Sequence, residues 1–221
     1  MHHKVRVWDL PTRIFHWALL FCVVGLVVTG TRGGEVMVWH FRLGYCVLSL
    51  LLFRIVWGLI GGRWSRFTSF FYAPSTVLAY LGGRGKPEHS VGHNPLGAGS
   101  IFAMLFFLLA QVGTGLFADD DISNSGPLSK FVSNARVAAL TAYHKNYGKY
   151  ILIGLVVLHI GAILFYLLKK KENLIKPMLH GDKNMAVAVE SARDDAGSRV
   201  KALVVFAVCA GAVATMVKIA G

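Results

Sequence analysis

Five long apolar runs divide this chain, and polar or basic stretches separate them. They cover residues 14–30, 37–60, 96–118, the greater part of 138–171, and 202–219. A helix needs about 17 or more mostly apolar residues to cross a bilayer, so each run predicts a membrane-spanning helix. The first and last are close to that lower limit. Pro11 suits the first turn of the first helix, and Asn94 with Pro95 reads as cap and first turn of the third. Between the second and third runs, APSTVLAYL predicts a short helix lying in the membrane interface. Residues 169–201 are polar and read as a connector. The expected fold is an all-α integral membrane helical bundle: a four-helix core over residues 1–168, the connector at 169–201, and a fifth, C-terminal transmembrane helix at 202–221.

Composition agrees with the pattern. The chain is 55% hydrophobic and 15% charged, with a mean hydropathy of +0.55. Those values lie outside the range of ordinary soluble domains. A net charge of +12 could suggest nucleic acid, but the cations cluster between apolar spans, which argues for no nucleic-acid partner. The N-terminus, the loop after the second span and the segment after the fourth carry three, four and eight Lys and Arg, respectively. By the positive-inside rule this places the N-terminus in the cytoplasm and the C-terminus on the periplasmic side. The three cysteines, Cys22, Cys46 and Cys209, lie in apolar stretches, and none belongs to a C-x-x-C-H pattern. Neither a disulfide framework nor covalent haem attachment is expected. No trusted cleavage site follows the first span, which is expected to stay as an anchor.

Candidate chemistry lies in the histidines. Residues 138–171 form an apolar helix that carries both His144 and His159 and ends in three lysines. Fifteen residues of helix rise about 22 Å, so the two imidazoles sit at different depths on roughly one flank. His16 lies near the start of the first span and His40 near the start of the second. With alternating span directions, the four sort by depth into two pairs, His40 with His144 and His16 with His159. His159 sits several residues deeper than His16, a mismatch that helix tilt can absorb. Two imidazoles facing each other across a bundle form the axial ligation of a b-type haem. Zinc fits less well, because it takes three or four converging ligands.

Two details support haem. His40 and His144 each begin an H-x-x-x-G, ending at Gly44 and Gly148. A glycine one turn on leaves room for a flat ring, although ordinary helix packing explains it equally well. Arg54, inside the second span, needs a partner or must snorkel to the surface. A haem propionate is one suitable acceptor. Arg13, Arg42, Lys145 and Lys149 are further candidates at span ends. The terminal His2 and His3 and the loop residues His89, His93 and His180 read as solvated. The acidic turn at 119–121 reads either as a loop that caps the next helix or as a dock for a basic redox partner.

VWDLPTRIFHWALLFCVVGLVVTG, WHFRLGYCVLSLLLFRIVWGLIG, the GHNPLG before the third span and the two-histidine fourth span together resemble the prokaryotic cytochrome b561 family. That family includes cytochrome b subunits of nickel–iron hydrogenases and related reductases. The resemblance covers residues 5–168. It implies two haems b held by four core helices, with His16, His40, His144 and His159 as axial ligands to the haem irons. It also implies electron transfer across the bacterial inner membrane between the quinone pool and a periplasmic partner, such as a c-type cytochrome or a reductase or hydrogenase subunit. A homo-oligomer is compatible with this.

The expected function is therefore a dihaem electron relay. One rival is a self-contained quinone-linked oxidoreductase, such as a superoxide:quinone oxidase. No acid–base pair in the spans identifies such a catalytic site. A second rival is a histidine-lined transporter, for which the inverted repeat and broken helices of many transporters are missing.

Overall fold

A computed structural model describes residues 3–120, 122 and 124–220. His2 and Asp121 lie outside the described residues. The chain is an all-α membrane helical bundle with one small two-stranded sheet. Five helical stretches are long and apolar enough to cross a membrane: Leu10–Arg32, Gly34–Ile60, Glu88–Gly115, Asn134–Leu168 and Ala196–Ala220. Within them lie helices α1 (Leu10–Arg32), α2 (Met37–Ile60), α4 (Pro95–Gly115), α5 (Asn134–Ala142), α6 (Lys149–Leu168) and α8 (Ala196–Ala220). The APSTVLAYL stretch forms a short helix, α3 (Pro74–Leu81). Large apolar residues on these helices are exposed, Phe21, Leu158 and Leu203 among them. In a soluble protein such exposure would be a liability; against lipid it is the expected surface.

The chain divides into two compact units. The first gathers Met1–His16, Arg54–Ala103 and Val157–Val205. Here the stretch expected to be a polar connector is folded. It holds α7 (Ile175–His180) and strand β2 (Asp182–Met185), which pairs antiparallel with β1 (His3–Arg6), Arg6 opposite Asp182. Alternate residues of a strand face opposite sides. Val5, Val7 and Met185 thus turn inward with Trp8 and Val91. Lys4 and Arg6 meet the Asp182 carboxylate at 3.1 and 2.5 Å. Gly181 ends α7 with φ +91°, a left-handed turn that costs a glycine nothing. Its carbonyl then accepts the amides of Val7 and Trp8 at 2.8 and 3.1 Å. The last helix begins six residues earlier than its apolar run, at Ala196, because Asp195 caps it: its Oδ1 accepts the Ser198 amide at 2.7 Å.

Asp194, just before that cap, ties the N-terminal segment to the last helix. It accepts hydrogen bonds from Arg6 Nη1 at 2.7 Å, the Leu10 amide at 3.1 Å and Arg199 Nε at 3.2 Å. Burial alone would push its carboxyl up. The Arg199 and Leu10 hydrogen bonds, with the charges of Arg199 and Arg6, outweigh burial and hold it below the usual aspartate range. A carboxylate held low in the folded state stabilises above the unfolded range, and that stabilisation is lost as pH falls through the folded value. Acidification is therefore expected to raise amide exchange at residues 3–10 and 190–199. In Asp194→Asn that part of the acid response should be absent, measured by hydrogen–deuterium exchange across the acidic range.

The second unit gathers Trp17–Phe53, Met104–Val156 and Phe206–Gly221. Gly33 and Gly34, at φ +64° and +62°, reverse the chain between α1 and α2. Val47 and Leu51 are fully buried, and Phe53 meets Phe206 edge-on with centroids 6.1 Å apart. Residues Tyr143–Gly148 form a π-helical turn between α5 and α6. In the acidic turn, Asp120 closes the loop on itself, accepting from the amides of Ile122 and Asn124 and from Asn124 Nδ2 at 2.7 to 3.0 Å.

Candidate functional site

In the second unit, α2 and the π-turn bring His40 and His144 together. Their ring centroids are 6.1 Å apart and the rings are nearly perpendicular, at 87°. The same device seats both rings. His40 Nδ1 lies 3.1 Å from the carbonyl of Leu26 on α1, and His144 Nδ1 lies 2.9 Å from the carbonyl of Gln111 on α4. With a proton on each Nδ1, both rings donate to backbone. A glycine one turn after each carbonyl lets the ring come close. A Cβ on Gly30 would meet His40 Cε1 at 2.9 Å, and one on Gly115 would meet His144 Cε1 at 2.8 Å. Anchoring Nδ1 fixes the tautomer and leaves Nε2 as the basic nitrogen.

The spacing can be tested against a haem iron. With metal–nitrogen bonds of about 2 Å, and a ring centre roughly 1.1 Å behind each nitrogen, two axial imidazoles place their centroids about 6 Å apart. The His40–His144 pair fits. Among the described residues, no three of His, Cys, Asp and Glu converge as a metal site.

The two H-x-x-x-G glycines part company. Nothing lies within 4 Å of a Cβ on Gly44, so that position has open space. A Cβ on Gly148 would strike Gln111 Oε1, so Gly148 serves close helix packing instead. Gln111 in turn donates through Nε2 to the carbonyl of His144 at 3.0 Å. A π-turn frees a carbonyl from the regular ladder, and such turns recur at functional sites.

In the first unit, His16 on α1 and His159 on α6 lie within electrostatic reach of each other, and His93 is reached by both and by Arg54. Arg54 is only 3% exposed, so it does not snorkel. Its guanidinium lies 4.7 Å from the centre of the Phe67 ring, and its buried Nη1 has no hydrogen-bond partner among the described residues. A buried guanidinium with a spare donor suits an anionic group such as a haem propionate. Of the other candidates, Lys145 has no hydrogen bond or ion pair among the described residues, and three make contacts elsewhere. Arg13 donates to the Leu179 carbonyl at 2.6 Å, Arg42 stacks on Trp39, and Lys149 on Tyr150.

Two residues of this unit carry buried polar groups that were not recognised as such in the sequence. His93, read as a solvated loop residue, is held between Trp8 and Phe70, each ring centroid 4.7 Å from its own. Its Nδ1 is buried without a hydrogen-bond partner among the described residues. The signal was its place in GHNPLG, where Asn94 caps α4 through the Gly97 amide at 2.8 Å and so fixes the preceding residue. The second is Asp9, fully buried before α1. It accepts the Thr12 amide at 2.8 Å, Trp57 Nε1 at 3.2 Å, the Gly62 amide at 3.2 Å and Ser65 Oγ at 2.9 Å. It carries opposite charge to Arg54, and the two interact electrostatically.

The chain is 27% identical over 137 residues to the "Probable Ni/Fe-hydrogenase 1 B-type cytochrome subunit" of Escherichia coli (strain K12), covering 49% of this chain and 57% of that protein. It thus spans little more than half the length of that relative. It is 25% identical over 216 residues to the "Probable Ni/Fe-hydrogenase B-type cytochrome subunit" of Bradyrhizobium diazoefficiens, covering 81% and 85% of the two chains. The protein of the same name from Cupriavidus necator is 32% identical over 133 residues, or 48% and 53%. No solved structure matches the chain. The family profile described as prokaryotic cytochrome b561 matches residues 7–181, so helices α1 to α6, the histidine pairs and Arg54 all fall inside it. The chain belongs to the prokaryotic cytochrome b561 family, a family of membrane b-type cytochromes that carry electrons on haem b.

Proposed function

We propose that this protein is a dihaem relay that passes electrons across the bacterial inner membrane, between the quinone pool and a periplasmic redox partner. The observation that carries the reading is the pair His40 and His144, facing each other at 6.1 Å with both Nδ1 atoms held by backbone carbonyls. Bound haem b supplies one-electron iron chemistry. His40 and His144 would hold one haem, and His16 and His159 the other. The carbonyls of Leu26 and Gln111 hold the first pair of imidazoles in the ligating tautomer and raise their basicity. Arg54 would pair with a propionate of the second haem, where its charge would favour the reduced state.

The relatives' names support a hydrogenase-type subunit as partner, with a c-type cytochrome as the alternative. The distribution of Lys and Arg supports a cytoplasmic N-terminus and a periplasmic C-terminus. The family match ends at residue 181, which supports reading α8 as an addition to a four-helix core.

The direct experiment is the haem-to-protein ratio of the purified chain by pyridine haemochrome. Two haems per chain are expected, and a ratio of one would overturn the dihaem reading. A second test addresses Arg54. A charge about 10 Å from an iron, at an effective dielectric near 20, is worth about 70 mV for one electron. Arg54→Gln should therefore lower one midpoint potential by about that much and leave the other unchanged in a redox titration. Equal movement of both potentials, or of neither, would remove Arg54 from the second haem site.

A further inference from the structure

The first unit contains a second polar site, away from its histidines. A cleft of ≈ 570 Å³ lies where α2 ends and α8 begins. Four cationic residues line it, Arg63, Arg66, Arg193 and Lys201, against one acid, Glu190. Arg63 pairs with Glu190 at 2.5 Å, and Arg193 with Asp195 outside the cleft, also at 2.5 Å. Arg66 and Lys201 have no acidic partner among the described residues; the Lys201 ammonium lies 3.3 Å from the carbonyl of Ile60, the last residue of α2. The lining therefore offers two cations without an acidic partner among the described residues.

The surroundings of the cleft select its ligand. Ile60 contributes to the lining, and Leu59 beside it is 64% exposed. On α8, Val200, Leu203 and Val204 flank Lys201 and are 57% to 66% exposed. Both helices are apolar enough to cross a membrane, and both change from apolar to basic at this cleft. A soluble anion would use the cations and leave the apolar rim bare. A molecule with a phosphate joined to acyl chains would use both. We infer that the cleft seats the headgroup of an anionic phospholipid, with its phosphate against Arg66 and Lys201 and its chains along the exposed apolar residues of α2 and α8. Basic pockets between membrane helices hold such headgroups by this combination of charge and apolar contact. The lipid would thereby pin α8, the helix beyond the family match, to the end of α2.

The test uses the full chain in a neutral detergent, titrated with cardiolipin, with phosphatidylcholine and with inorganic phosphate, and read by native mass spectrometry. Cardiolipin should be retained, and the other two should not compete with it. Each cation near an anionic headgroup is worth about fivefold in affinity, so Arg66→Gln with Lys201→Gln should weaken cardiolipin retention roughly 30-fold. Arg84→Gln with Lys170→Gln removes the same charge from exposed positions outside the cleft and should change little. An equal loss in that control would reduce the effect to net charge and overturn the site. Retention of inorganic phosphate as tightly as cardiolipin would make it a soluble-anion site, and equal retention of phosphatidylcholine would leave the cations without a role; either result overturns the proposal. Haem content should be the same in all variants, so the outcome is independent of the electron-relay reading.

Discussion

Replacing His144 by alanine is expected to take the haem content from two per chain to one. Its imidazole is held in place by the Gln111 carbonyl, and on the reading above its Nε2 is one of two axial ligands. Alanine leaves a one-sided site and a cavity in place of the ring. His159→Ala should remove the other haem, and the double variant both. His180→Ala, at an exposed position, should keep two. Pyridine haemochrome counting checks the stoichiometry, and size-exclusion elution checks that each variant remains folded. The seat of the ring gives a graded companion test. Gly115→Ala puts a methyl at 2.8 Å from His144 Cε1, so the ring must shift. Supporting groups around a metal ligand are worth about 10- to 100-fold in affinity. Gly115→Ala should thus weaken retention of one haem within that range. Full retention of both haems in His144→Ala would remove that residue from the ligand set.

Asp9→Ala should be the most destabilising single change outside the histidines. Four donors from three chain segments converge on this fully buried carboxylate: the amides of Thr12 and Gly62, the Trp57 indole and the Ser65 hydroxyl. Alanine leaves the two amides and the indole without this acceptor in a site closed to water, while the Ser65 hydroxyl keeps Thr12 Oγ1 at 2.7 Å. Each unsatisfied buried group costs about 1 to 3 kcal/mol. Partial relaxation brings the expected loss to roughly 3 to 5 kcal/mol, the range for breaking a buried charged network. Asp9→Asn, which retains one accepting oxygen, should lose less. Thermal unfolding in detergent, followed by tryptophan fluorescence, orders the three proteins. An Asp9→Ala protein that melts with the wild type would show that the network is dispensable.

Asp9 also shows where reading the chain reached its limit. As an Asp just before an apolar helix it is legible as a cap, and it does cap through Thr12. Its other three donors sit 48 to 56 residues away, and nothing in the local pattern of either segment announces them. His93 was misjudged for a related reason. A histidine in a loop is usually wet, and only the arrival of Trp8 and Phe70 on its two sides makes this one dry. The paired glycines carry the same lesson. Gly44 and Gly148 occupy identical motif positions, yet one faces open space and the other a glutamine from α4. The small sheet escaped as well, since four-residue strands on a basic N-terminus and in a polar connector carry too short an alternation to stand out.

The membrane class, the number of apolar helices long enough to cross and the approach of His40 to His144 were legible in the one-dimensional chain. A bilayer imposes a fixed length and a regular helical rise, so position along the chain becomes depth without any knowledge of neighbours. Which carbonyl orients each imidazole, which glycine gives it room, which arginine stays buried and how the N-terminus is clamped to the last helix were settled only by folding. Those contacts join segments distant in sequence, and their energies depend on burial and on the partner that arrives, quantities that no single stretch of residues contains.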